Sequence, residues 1–181
     1  MLNISNAIQS ILLPPAIVTM MAFGNVSTST EVEVKNMEFN IEASKVDRVE
    51  VLKNFFAKYD SPLVDHSDTF VQVADLYGID YKLLPAISCM ESTCGKFMPY
   101  NSNNAFGWGV YGGNYISFET HDEAIQTVGE GLNKNYFSKG LDTIEEIAPV
   151  YTPPNSHNWA NGVRFFTSQM DEIEQTHKPQ S

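Results

Sequence analysis

Glu91 is the carboxylate in this sequence whose setting best suits chemistry. On a helix it follows Leu84, Ile87 and Ser88 at i−7, i−4 and i−3, at the border of an apolar stripe. It also falls in the last turn, where the negative end of the helix dipole opposes a further negative charge. Partial burial beside Ile87 and the dipole both push its pKa up. A carboxyl that keeps its proton near neutral pH is what a general acid needs to protonate a glycosidic oxygen. The competing reading is a near-surface Glu interacting with Lys96.

The stretch that follows adds a second set of candidates. Asn103, Asn104, Trp108, Tyr111, Asn114 and Tyr115 crowd into one short glycine-rich segment. Amides and aromatic rings hold uncharged sugars, the first by paired hydrogen bonds and the second by stacking on pyranose faces. A glycine-rich turn with core aromatics is the plainer alternative. Within it, Gly107-Trp108-Gly109-Val110-Tyr111-Gly112 fits G-x-G-x-x-G. A dinucleotide site needs that motif between a buried strand and a helix, whereas here Asn and Ser precede it and a β-prone stretch follows. His66, His121, His157 and His177 are scattered with no HxxxH or HExxH, so they read as surface histidines and not as a metal site. No G-x-S-x-G elbow occurs.

Composition narrows the ligand. The 181 residues carry 11 Lys plus Arg against 22 Asp plus Glu, a formal net charge of −11. Such a balance argues against nucleic acid and against docking on anionic lipid, both of which require basic surface. A neutral ligand held by hydrogen bonds and stacking is the expectation. Apolar residues make up 43 %, enough for one domain with a proper core. Cys89 and Cys94 would have Cα atoms roughly 8.6 Å apart on an ideal helix, beyond disulfide reach unless the helix ends between them. They read as two small buried thiols.

The elements that must position these residues can be read in order. Residues 1–24 form a hydrophobic leader, signal-like or a weak anchor. Its apolar run 11–23 is too short to span a bilayer, and no charge precedes Glu31. Residues 25–44 are linker, with a period-two alternation of Val32, Val34, Phe39 and Ile41 that predicts a short strand or extended segment. The folded domain covers 45–176, with a tail at 177–181. Ser44 is placed to cap a helix bearing Val46, Val49, Leu52 and Phe56. A second helix carries Phe70, Val73 and Tyr77 to Gly78, and a third, capped by Asp80, runs through Leu83, Ile87, Met90 and Cys94 to Gly95. Pro85 is expected to cost that helix one backbone hydrogen bond. Residues 97–118 predict an irregular, hairpin-like loop. Thr120 and Glu123 form a capping box for a helix burying Ile125, Val128, Leu132 and Tyr136. A short helix from Asp142 or Thr143 ends near Pro149, and a last one runs from about Asn158 to Glu174 with Val163, Phe166 and Met170 inward.

Glu91-Ser92-Thr93-Cys94-Gly95-Lys96, followed by Asn104-Ala105-Phe106-Gly107, resembles the E-S-x-x-G … N-x-F-G pattern of peptidoglycan glucosaminidases. Those enzymes belong to the lysozyme-like superfamily, with lytic transglycosylases and goose-type lysozymes. Residues 78–87 are similar to the transglycosylase lead-in to the catalytic Glu. Pro149-Val150-Tyr151 and then Trp159, Ala160 and Val163 look like the segment that closes the cleft. The resemblance spans roughly residues 60–174.

It implies a mostly α (α+β lysozyme-like) domain with a glycine- and aromatic-rich loop or hairpin beside a cleft. The implied activity is cleavage of β-1,4 bonds between N-acetylglucosamine and N-acetylmuramic acid, by an endo-β-N-acetylglucosaminidase or a lytic transglycosylase. Glu91 would be the acid and Tyr151 would contact the reacting sugar. Ser92 would support the helix end or the sugar. Asn104, Phe106 and Gly107 would form the cleft floor, and Trp108, Tyr111 and Trp159 would add substrate contacts. No metal or organic cofactor is implied. The partner would be peptidoglycan glycan strands, met by a secreted or envelope-associated monomer, or a phage-borne lysin, without a stable membrane span.

Three positions depart from the pattern. Cys94 stands where an aromatic is usual, and Trp108 where an aliphatic residue is common. Tyr151 is followed by Thr152-Pro153-Pro154 instead of a small residue and an acid. A second carboxylate is therefore open. Glu119 is the nearest candidate, since Glu123 is taken up by capping. Without one, the sugar's acetamido group or 6-hydroxyl would replace the missing nucleophile. A glycan-binding or structural module that lost the chemistry is the alternative reading.

Overall fold

The computed structural model describes residues 29–109 and 115–177, which are mostly helical and contain no strand. Internal contacts divide the chain into residues 1–36 and 37–181. Of the first unit, residues 29–36 are described and form the opening turns of helix α1, Ser29–Lys58. The expected leader lies outside the described residues. The segment 31–41 is helical, not extended. Val32, Val34, Phe39 and Ile41 are all exposed, so no packed surface enforces a period of two there. Ser44 accordingly lies inside α1 and caps nothing.

The second unit is built from the rest of α1 with α2 (Ser67–Tyr77), α3 (Leu83–Ser92), α4 (His121–Asn135), α5 (Ile144–Tyr151) and α6 (Ser156–His177). Asp60, at φ +47°, breaks the chain after α1. Gly78 ends α2 in the left-handed conformation that suits a residue without Cβ, its N–H bonded to the Ala74 carbonyl. Thr143 opens α5 with a complete capping box, Glu146 answering its backbone N–H. At α4, Thr120 Oγ1 accepts from the Glu123 N–H, but the Glu123 carboxylate turns to the N–H of Glu119, so the expected box is only half made.

The core joins Leu52, Phe55 and Phe56 of α1 to Phe70, Ile87, Ile125, Leu132, Val163 and Met170, all fully buried. Burying each such side chain contributes about 1.5–3 kcal/mol. α3 runs through the middle. Only Met90 and Glu91 of its ten residues are exposed. Pro85 sits at its third position, where the N–H has no intrahelical partner, so the expected loss of a hydrogen bond does not occur. α4 contains Gly129 and Gly131, each about 1 kcal/mol worse than Ala in a helix interior. Gly129 is explained by the close passage of Val73 from α2.

The end of α3 departs from expectation. The helix does not reach Gly95 but stops at Ser92, and Thr93, Cys94 and Gly95 all take positive φ (+54°, +57° and +80°). That reversal brings Cys89 and Cys94 to a Cα separation of 3.7 Å, and they form a disulfide, not two thiols. Non-glycine residues resist this conformation, so the turn must be held. The bridge holds it, together with Ser61 Oγ, which donates to the Cys94 carbonyl at 2.7 Å.

Thiol titration should find no free thiol in the native chain and both cysteines after reduction. By loop-entropy accounting the bridge is worth about 2 kcal/mol. Reduction should therefore lower Tm by about 4–8 °C; an unchanged melting curve would show the helix end holding without the bridge.

Candidate active site

The exposed end of α3 opens on a groove of about 500 Å³. Glu91 enters from α3, Phe106 to Gly109 from the following loop, Tyr136 from the end of α4, and Val150 with Tyr151 from the end of α5. Three helix ends and one irregular loop therefore converge on one carboxyl group.

Glu91 Oε1 accepts a hydrogen bond from the Trp159 indole N–H at 3.0 Å. Trp159 comes from α6, is buried, and stacks on Tyr151 with ring centroids 4.7 Å apart. The other oxygen, Oε2, lies on the side of Gly107, where a Cβ would stand 3.7 Å from it. Gly107 has φ +59°, a conformation that favours glycine, and its missing side chain leaves the approach to Oε2 open. Since Oε1 is an acceptor already engaged, a proton on Glu91 belongs on Oε2, toward the groove.

The carboxyl is reachable along the groove yet crowded by protein on its other sides. That crowding raises its pKa, and the indole hydrogen bond pulls the other way without cancelling it. Lys96 does not offset the charge, because its ammonium donates to the Tyr59 carbonyl. Tyr151 is pushed far up by burial and then by the Glu91 charge, so its hydroxyl stays a donor at any ordinary pH. Burial raises Tyr136 as well.

Several candidate contacts prove to be scaffold. Asn104 is buried, and its amide donates to the carbonyls of Trp108 and Ile116 while its oxygen accepts from the Trp108 N–H. Asn103 likewise spends its amide on the carbonyls of Phe118 and Glu119. The Asn104 amide is fully engaged, and the Asn103 NH2 group has both its hydrogens spent. Ser92 is buried and ties the helix end to the loop, its hydroxyl facing the Ser88 and Ala105 carbonyls and accepting from the Gly95 N–H. Phe106 turns its ring inward, 6.3 Å from that of Phe70. Trp159 acts on the acid and is too buried to offer a sugar its face.

Glu119 is exposed and is not part of the groove lining. Among the described residues that line the groove, Glu91 is the one carboxylate. Tyr115 is exposed away from that lining, and Tyr111 and Asn114 lie outside the described residues. Tyr136, expected only as a core residue, turns out to be a groove wall, because α4 ends there and the apolar stripe runs out into the opening. Val150 joins it, in the segment Pro149-Val150-Tyr151 whose resemblance suggested a cleft-closing stretch.

His66 and His121 are not scattered surface groups. Their rings meet edge to face at 5.1 Å, and His66 Nδ1 lies 2.8 Å from Asp122. Among the described residues no group of His, Cys, Asp or Glu could hold a metal ion. Comparison with known protein families and with curated proteins finds no match to this chain.

The raised pKa has a stability consequence. A carboxyl crowded on all but its groove side costs little while protonated, and it destabilises the fold progressively as pH rises above the ordinary carboxylate pKa. Glu91→Gln, which can still accept from Trp159, should melt like the native protein at pH 4 and below and above it at pH 7. A constant difference across that range would place the carboxyl in open water. Trp159→Phe removes the one donor, so carboxyl NMR should find Glu91 titrating higher than in the native chain.

Proposed function

We propose that this chain is a peptidoglycan glycosidase of lysozyme-like fold that cuts β-1,4 bonds between N-acetylglucosamine and N-acetylmuramic acid. The observation that carries the reading is Glu91: a crowded carboxyl of raised pKa, with one oxygen fixed by an indole and the other open to an aromatic groove. Mostly helical architecture with an irregular aromatic loop beside the groove supports the fold.

The reaction then follows from proton placement. Glu91 delivers the proton on Oε2 to the glycosidic oxygen as the bond to the sugar lengthens, leaving an oxocarbenium-like sugar and a carboxylate. The Trp159 N–H, already on Oε1, stabilises that carboxylate. Tyr151, held protonated, is a fixed donor for the sugar at the reacting position. With no second carboxylate among the described groove residues, the substrate's acetamido group or 6-hydroxyl supplies the nucleophile. The 6-hydroxyl, losing its proton to the Glu91 carboxylate as it bonds to the anomeric carbon, gives an anhydro-sugar as in lytic transglycosylases. The acetamido route gives an oxazoline that water, giving a proton back to Glu91, opens to a reducing end. The disulfide fits an exported or phage-borne protein, since such bridges persist in oxidising surroundings. No described helix is long and apolar enough to cross a membrane.

Glu91→Gln should slow release of soluble fragments from purified cell wall by roughly 10²–10⁴, the usual worth of a general acid. The native rate should fall as pH rises through the elevated Glu91 pKa. Mass spectrometry of the products separates an anhydro end from a reducing end. Native protein that binds the wall and releases nothing would instead identify a binding module, and full cleavage by Glu91→Gln would remove Glu91 from the chemistry.

A further inference from the structure

The Gly107-Trp108-Gly109 segment imitates a nucleotide motif, and its glycines have a different purpose. Both take left-handed φ, +59° and +66°, on either side of Trp108. Asn104 grips the tryptophan's backbone from both sides, accepting from its N–H at 3.0 Å and donating to its carbonyl at 2.9 Å. The indole meanwhile lies directly on α4 at Gly131. A Cβ there would collide with Trp108 Cζ2 and stand 2.7 Å from Cη2, closer than the ring could remain. Helix propensity disfavours glycine at this interior position, so its presence is explained by the ring above it.

We propose that Gly131 is a positioning residue that seats Trp108 as a fixed aromatic wall of the groove, on which one sugar ring stacks beside Glu91. The ligand rests on the glycan reading above; the seat does not. Three supports fix the wall independently: the amide clamp on the backbone, the paired glycines at the bend, and the bare helix surface under the ring. A side chain at 131 would push the indole toward the groove and change its aperture without touching Glu91 or Trp159.

The test uses the full chain with Gly131→Ala, Trp108→Ala and the double variant. With Ala at 108, Gly131→Ala should raise Tm by a few degrees, as helix propensity dictates. With Trp108 present, the same change should lower Tm or leave it flat, and should shift the tryptophan emission. In a Glu91→Gln background, which prevents cleavage, binding of a β-1,4-linked N-acetylglucosamine tetramer is read by titration. Gly131→Ala should weaken it by about 3–10-fold, the scale of one aromatic contact, and add nothing once Trp108 is gone. Additive Tm shifts with unchanged emission would overturn the seat. Equal tetramer affinity in Gly131→Ala, while Trp108→Ala binds less tightly, would overturn its effect on the wall. Coupled Tm shifts in a protein that binds no tetramer, native residues at both positions included, would keep the seat and overturn the glycan reading.

Discussion

The burial of α3 is the constraint on which the rest depends. A helix covered by neighbours on every side has one orientation, and here that orientation leaves only Met90 and Glu91 uncovered at its last turn. Rotating it by a single residue would drive a carboxylate into the core, at a cost far above any single hydrophobic contact. Core packing therefore aims the acid, and no contact made by Glu91 itself is needed to do so. The indole of Trp159 then fixes which oxygen faces the groove.

The same packing explains why the chain must reverse so sharply after Ser92. A longer α3 would have carried Cys94 onward and left the loop 97–109 no path back to Glu91. Three consecutive residues with positive φ end it abruptly, and the disulfide, Ser61 and the Ser92 hydroxyl hold the reversal. Strain at the helix end and order in the groove wall are thus one arrangement. Asn104 and Ser92 serve it from inside, which is why residues that resemble ligand contacts are buried hydrogen-bonding struts.

Much of this was legible in the sequence where local physics decides. The breaks at Asp60 and Gly78, the Thr143 cap and the buried stripes of α2, α4 and α6 follow from side-chain period and end chemistry. Residues 31–41 are helical despite their alternation, because an alternating pattern has force only when a sheet face is there to bury it. Tyr136 gave no warning, since a stripe does not show where its covering neighbour stops. The histidine pair is invisible for the same reason: His66 and His121 stand far apart in sequence and meet only when α2 packs on α4.

By itself the sequence determined most of the helices and the border position of Glu91, because each depends on residues a few positions apart. Only the tertiary structure decided that the cysteines are bridged, that the asparagines are struts, and that Trp159, Tyr151 and Trp108 gather around one carboxyl. Those outcomes depend on where helices end and which surfaces meet. Such distances are set by packing the whole core at once, and no stretch of chain read alone contains them.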